Sequence, residues 1–367
     1  MTMKKNTAAA VLLMLLMLLL PLTGGLADKS VLLTFTGDCT LGSEEIKRNQ
    51  STSFDSFIKN NGYDYCFANF KEMFESDDLT VVNLEGVLSD SPYEENKKKT
   101  FRFRGPTEFV KILTGSSIEA AGLANNQIMD FGRQGEKNTR ETLEANGVAW
   151  FRNSTPYLFD HDGITIAFFA FDNTTYFSLR SKLGGIFRDL REKEGVDAIV
   201  VCSHTGMEYR PKHEDTTAEM ARVLITNGAD LVIMHHPHVL QGVDIINRRN
   251  VFYSMGNFVF GGNCEIKSKG VATSLYTMVV QVKMTFTNDG EYLGQQATIY
   301  PALISSDPSV NYYQPLRVSA EDAGPVVEAI QRDTAFDLPA VTEKDGLSLI
   351  EFAYLPATDE ARIPEEE

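Results

Sequence analysis

Short runs of apolar, β-branched residues recur along the chain at Val31–Thr36, Leu79–Asn83, Ile118–Leu123, Ile164–Phe171, Ala198–Cys202, Leu231–Met234 and Val251–Tyr253. Their length and composition read as buried strands. Helical patterns lie between most of them: Cys66–Glu75 with apolar Phe67, Phe70, Met73 and Phe74, then Glu136–Asn146, Leu183–Glu194, and Thr216–Asn227 ending at Gly228. This alternation predicts an α/β fold of layered sheets with helices outside. From about Ser274 the texture changes. Two alternating stretches, Tyr276–Phe286 and Tyr292–Ile299, flank Asn288-Asp289-Gly290, whose residues tolerate the positive φ of a hairpin turn, so an antiparallel addition to the sheet is expected. A helix near Glu321–Asp333 and a tail rich in Pro, Asp and Glu follow.

At 367 residues and 43% hydrophobic content the chain can bury a substantial core, and four Cys without framework spacing do not make a disulfide scaffold. Cys39 and Cys202 sit at strand ends and read as small buried thiols. The formal charge of −16 repels phosphate backbones and argues against nucleic-acid binding. Residues 1–27 form an expected export signal: Lys4 and Lys5, an apolar run over Ala8–Leu20, and a small-x-small site ending at Ala27. The run is short of the roughly 20 residues of a bilayer span, and a retained anchor that associates the protein with the membrane is the alternative. Removing this segment takes out two lysines and no acid, leaving 32 bases against 50 acids, a charge of −18. The product is expected to be exported, outside the cell or at its surface.

Ligands in open α/β sheets bind beyond the carboxyl ends of the strands. Here those ends read Gly37-Asp38, Asn83-Leu84-Glu85, Asn125-Asn126-Gln127, His204 and His235-His236-Pro237-His238. Alone, Gly37-Asp38 or Asn125-Asn126 is also a good turn, while for the histidine group a surface cluster is the lesser reading. Together they set Asp, Glu, Asn and four of the six His along one edge, a donor set suited to one or two divalent metals such as Mn, Zn, Fe or Mg. Pro237 is expected to hold an extended backbone that puts His236 and His238 on one side. Asn257 is expected to brace the histidine cluster rather than bind metal. Metal-assisted hydrolysis is the chemistry such a set supports.

In order along the chain, FTGDCTLG (Phe35–Gly42), VVNLEGVLSD (Val81–Asp90), GLANNQIMDFG (Gly122–Gly132), CSHTGMEY (Cys202–Tyr209), MHHPHVLQG (Met234–Gly242) and YSMGNFVF (Tyr253–Phe260) resemble the capsule-synthesis CapA family. The resemblance implies a four-layer αββα metallophosphatase-like sandwich, here with a C-terminal antiparallel extension. It also implies a role in making or exporting poly-γ-glutamate or a related envelope polymer, with that polyanion or its membrane synthase as partner. By position it makes Asp38 a ligand of a first metal and Glu85 the bridging acid. Asn126, His204 and His236 would surround a second metal, His238 would return to the first, and His235 would lie behind or pack.

Three positions depart from the family pattern. Gln127 stands where a catalytic His is usual and can orient a substrate but not act as an acid. Thr40 replaces a His ligand, and Thr205 replaces a Trp. Glu208 and Tyr209, after the His204 loop, are expected to line the cleft, with Glu208 joining Gln127 as a catalytic candidate and Tyr209 contacting substrate. In Phe101-Arg102-Phe103-Arg104 the alternation predicts both arginines on one face. With Lys97–Lys99 before them they make a basic patch for a polyanion or, equally, a charged strand edge that deters aggregation. The expected organisation is a signal over 1–27, a core over 28–262, strands and helix completing the same domain over 263–335, and a partly ordered acidic tail over 336–367. The two other readings are a non-catalytic subunit that binds polymer or synthase, and a secreted metal-dependent phosphoesterase.

Overall fold

The computed structural model describes residues 28–262 and 264–358. The expected signal over 1–27 and the end of the acidic tail lie outside the described residues. Four strands, β1 (Lys29–Cys39), β2 (Leu79–Leu84), β3 (Ala120–Gly122) and β4 (Ala149–Phe151), run parallel side by side and begin a first sheet. A second sheet takes the next six, β5 (Tyr157–His161), β6 (Ile164–Asp172), β7 (Ala198–His204), β8 (Leu231–His235), β9 (Val243–Ile246) and β10 (Arg249–Phe252). Its order is β9-β10-β8-β7-β6-β5, with β6, β7, β8 and β10 parallel. The chain then returns to the first sheet: β11 (Tyr276–Phe286) pairs antiparallel with β1, β12 (Tyr292–Leu303) with β11, and β13 (Leu347–Glu351) with β12.

Strand periodicity divides the side chains between layers. In β7, Val200 and Cys202 enter the core between the sheets, where they join Val31, Leu33 and Phe35 of β1, while Ile199 and Val201 point outward. The outer face of the first sheet is covered by α1 (Phe54–Asn61) and α2 (Gly132–Ala145), which bury Phe54, Ile58 and Leu143 beside Val82 and Leu84. The outer face of the second is covered by α3 (Leu183–Glu194) and α4 (Asp215–Thr226) through Phe187, Met220 and Leu224. The result is the expected αββα sandwich with its antiparallel extension. A fifth helix, α5 (Gly324–Gln331), adds Val326 and Ile330 to the inter-sheet core.

The hairpin turn forms as the sequence predicts, with Gly290 at φ +90° and its N–H donating to the Thr287 carbonyl at 3.0 Å. Two expectations differ. Within the helix expected over Cys66–Glu75, only Lys71–Phe74 is α-helical; the preceding turns instead drive Phe67 and Phe70 onto Phe258. Part of the stretch read as an acidic tail is strand β13, whose Leu349 and Ile350 are buried. Among the described residues Cys39, Cys66, Cys202 and Cys264 are free thiols. No described helix is long and apolar enough to cross a membrane.

Candidate metal centre

The carboxyl ends of β1, β2, β3, β7 and β8 converge on one edge, and a local irregularity sets the first donor. The β1–β2 register slips between Phe35 and Asp38. At the slip, Gly37 passes so close to the Gly256 carbonyl that a Cβ would lie 2.4 Å from its oxygen, and the Asp38 N–H donates to that carbonyl at 2.9 Å. Only glycine permits this contact. It fixes Asp38 against the 254–258 loop, whose Phe258 N–H donates to the Asp38 carbonyl at 2.8 Å. Glu85 leaves β2 with its N–H donating to the Cys39 carbonyl at 2.7 Å. His204 and His235 are register partners on β7 and β8.

Asp38 and Glu85 are both fully buried. Asp38 Oδ1 accepts from Asn83 Nδ2 at 2.8 Å and lies 3.0 Å from His235 Nδ1, while Oδ2 lies 3.1 Å from His238 Nδ1. Glu85 Oε1 stands 3.5 Å from His204 Nε2 and 3.7 Å from His238 Nε2. Asn126 Oδ1 meets His204 Nε2 at 3.0 Å. The His204 and His236 rings lie 4.6 Å apart between centroids, and those of His236 and His238 5.8 Å. All six expected ligands are thus brought together. Donor atoms of Asp38, Glu85 and His204 fall within 4.8 Å of one another, as do those of Glu85, His236 and His238. Glu85 is common to both groups, as a bridging acid would be. His238 lies against Asp38, as the resemblance implies, and its donor atoms also group with those of His236.

The charges are unevenly held. Burial opposes ionisation of Asp38, but hydrogen bonds and charge from His235 and His238 override it and hold the carboxyl well below its ordinary range. Burial pushes Glu85 well up, with His238 opposing and the Asp38 charge reinforcing. His204 is driven well down and His236 down to about 4, both chiefly by burial, so each presents a neutral imidazole lone pair. Burial also works against a charged His238, yet Glu85 and Asp38 outweigh it and raise the group to about 9.

Both oxygens of Glu85 are buried without a hydrogen-bond partner. A carboxylate so stripped of water is expensive unless a cation compensates it. Two neutral imidazoles and an ionised Asp around that orphaned carboxylate suit a divalent cation, so the residues fit the metal they were expected to hold.

Several sequence expectations are corrected. Pro237 does not fix an extended strand: His236 has φ +102° and His238 φ +58°, so the two rings converge from a tight, strained turn. Arg102 and Arg104 do not form an open basic face. Arg102 Nε binds Glu95 at 2.8 Å, and Arg104, buried, makes a two-pronged pair with Glu45 at 2.9 and 3.0 Å while donating to the Ser89 carbonyl at 2.6 Å. The neighbouring phenylalanines face the cleft instead. Phe101 and Phe103 line its mouth with Gln127, Glu208, Tyr209, His238, Phe260 and Lys267, which places Glu208 and Tyr209 where the sequence expects them.

At the positions that depart from the family pattern, Gln127 Oε1 accepts from Lys99 Nζ at 2.6 Å and Thr40 Oγ1 accepts from the Gly261 N–H at 2.6 Å. Thr205 Oγ1 donates to Asn173 at 2.6 Å. His235, expected behind the donors, buttresses Asp38. Sequence reasoning missed the bracing role of Asn83, which contacts Asp38 and, at 3.4 Å, His204 Nδ1. Lys99 reads in the sequence only as part of a basic patch; its ammonium binds the Asn126 carbonyl at 2.7 Å, Gln127 and Asp130. Asn257, the expected brace, meets His238 Nδ1 at 3.0 Å.

Fold and site together define a buried, multi-histidine donor cluster at the carboxyl edge of an αββα sandwich. The profile of the bacterial capsule synthesis protein family, PGA_cap, matches residues 32–262, and this chain belongs to that family. It is 28% identical over 256 residues to the PGA biosynthesis protein CapA of Bacillus subtilis (strain 168), covering 64% of each chain. It is 25% identical over 257 residues to the capsule biosynthesis protein CapA of Bacillus anthracis, covering 64% of this chain and 60% of that one. The chain therefore spans a little under two thirds of the length of these relatives. Among solved structures, a 5′-nucleotidase precursor from Thermus thermophilus aligns with a TM-score of 0.43 at 15% identity, covering 82% of this chain and 57% of that one.

Proposed function

We propose that this protein is exported and works in the production or export of poly-γ-glutamate or a related envelope polymer, holding one or two divalent metals through Asp38, Glu85, Asn126, His204, His236 and His238. The observation that carries the reading is the Glu85 carboxylate, buried without a hydrogen-bond partner and common to two groups of donors. A divalent cation bound there supplies Lewis-acid polarisation of an acyl or phosphoryl oxygen. The chain's own residues do the rest. Asn83, His235 and Asn257 orient Asp38 and His238, and the aromatic mouth limits water. Gln127 orients a bound group through its amide, without acting as an acid.

A binding role without turnover is the second reading, favoured by two observations: Gln127 is tied to Lys99 and Thr40 is spent on backbone. Metal analysis of the purified protein, with hydrolysis assays on phosphomonoester, phosphodiester and γ-glutamyl substrates under Mn, Zn and Fe, separates the readings. Stoichiometric metal that falls sharply in His236→Ala is expected. Traces of metal unchanged by that substitution sink the metal site. Full metal with no hydrolysis above an Asp38→Ala control supports the binding role, and turnover of phosphoesters alone supports a secreted phosphoesterase.

A further inference from the structure

With Arg102 and Arg104 committed to Glu95 and Glu45, Lys99 to Asp130 and His238 to Asp38, the cation lining the cleft without an ion-pair partner among the described residues is Lys267. Its ammonium sits 4.6 Å from the Phe101 ring centroid and 5.9 Å from that of Tyr209. Among the described residues no carboxylate oxygen lies within ion-pair distance of it. It is half-buried, and burial pulls it below the usual lysine value. Aromatic faces attract a cation but replace only part of the water it loses. Glu44 and Glu208 attract it from beyond ion-pair distance but do not offset that loss, in a molecule whose net charge is −16.

The geometry points to Lys267 as the receptor for a substrate carboxylate, held over the donor cluster by Phe101 and Tyr209. This rests on the polymer reading above and deepens it by naming what the cleft grips. The same mouth presents Phe103 and Phe260, whose rings pack edge to face at 5.3 Å and offer an apolar surface beside His238. Glu208, which also lines the mouth, is a hydrogen-bond acceptor. A chain that alternates carboxylates, amide N–H groups and short methylene runs satisfies all three: the carboxylate on Lys267, the methylenes on the phenylalanines, an N–H on Glu208. A γ-linked glutamate chain has this pattern. Phenyl phosphate shares the anion and can pack its ring on the phenylalanines, but it has no amide N–H to donate to Glu208.

Titration calorimetry of the purified protein with a γ-linked glutamate oligomer, its amidated neutral form, and phenyl phosphate tests the assignment. The oligomer is expected to bind and its neutral form to bind at least about tenfold more weakly. Lys267→Gln should weaken the oligomer by about the same factor, and Lys267→Arg should retain most of the affinity. Phe101→Leu, which removes one face holding the ammonium, should fall between them, and unchanged thermal melting of each variant excludes misfolding. Oligomer binding unaltered by Lys267→Gln overturns the role of Lys267 and leaves the polymer reading intact. Failure of the oligomer to bind the unsubstituted protein overturns both. Phenyl phosphate binding more tightly than the oligomer, and losing that affinity in Lys267→Gln, overturns the carboxylate and assigns the subsite to phosphate.

Discussion

Asn83 makes two contacts that the donor cluster depends on. Its amide nitrogen donates to Asp38 at 2.8 Å and lies 3.4 Å from His204 Nδ1, so one side chain fixes an acid and an imidazole from different sheets. Groups that orient ligands in this way typically contribute about 10–100-fold to metal affinity. Asn83→Leu is therefore expected to lower metal affinity by that factor while circular dichroism stays native, and an unchanged affinity would show that Asp38 and His204 are held by other means. The donor cluster was legible in the sequence because Asp, Glu and His at successive strand ends are chemically conspicuous. Its braces were not, because an asparagine before a strand end and a lysine in a basic run look like turn and surface residues. Only the crossing of β2 past β7 brings Asn83 to His204, and only the loop after Pro92 brings Lys99 to the Asn126 carbonyl. The two arginines misled for the matching reason. Alternation gives the face a side chain takes, but not whether a distant Glu45 or Glu95 awaits it there.

The turn after β8 is the element on which the site hinges. His236 at φ +102° and His238 at φ +58° occupy backbone conformations that L-residues with a Cβ resist, at about 1–3 kcal/mol each. The strain is tolerated because the turn is pinned at both sides: the Thr205 N–H donates to the His235 carbonyl at 3.0 Å and the Tyr209 N–H to the Pro237 carbonyl at 2.8 Å. His236→Gly should release it, raising the metal-free protein's stability in urea by about 1 kcal/mol while abolishing the metal-dependent rise in melting temperature. A less stable metal-free variant would mean that the packing of the His236 ring against His204 outweighs the backbone relief. Turn geometry of this kind is invisible in a His-His-Pro-His string, where proline suggests extension. The strands that build the sheets were legible as apolar runs. The missed ones, β4, β5 and β9, are short and carry exposed or half-exposed residues, and β13 hides in an acidic stretch whose buried apolar residues among those described are few: Leu349, Ile350 and, just beyond the strand, Phe352.

Across the whole molecule the two ends of the sandwich use acids in opposite ways. At the carboxyl ends they gather round histidines. At the amino ends they cap strands: Asp78 accepts from the Leu32 N–H at 2.7 Å, Glu119 from the Thr80 N–H at 2.9 Å and Asp197 from the Thr165 N–H at 2.8 Å. Asp77 lies among these caps and receives the Thr80 hydroxyl at 2.6 Å. Burial is the main force raising its carboxyl to about 7; Thr34 and Thr80 oppose the shift, and the Glu119 and Asp78 charges reinforce it. The unfolded chain releases that proton near 3.8, so between there and about 7 the folded state binds more protons and stability must fall as pH rises. The stabilisation is complete below the lower value and gone above the upper one. Asp77→Asn removes the ionisation, so the variant should lose less stability than the unsubstituted protein between about pH 5 and pH 8. The difference should be about 1–2 kcal/mol, well short of what so large a shift would carry in a dry site, because the carboxyl is only partly buried. Urea unfolding of both metal-free proteins at the two pH values measures it. Parallel pH dependences would show that the acids at this end relax together on ionisation, and that the amino-end caps, unlike the histidine-rich edge, hold their charge without strain.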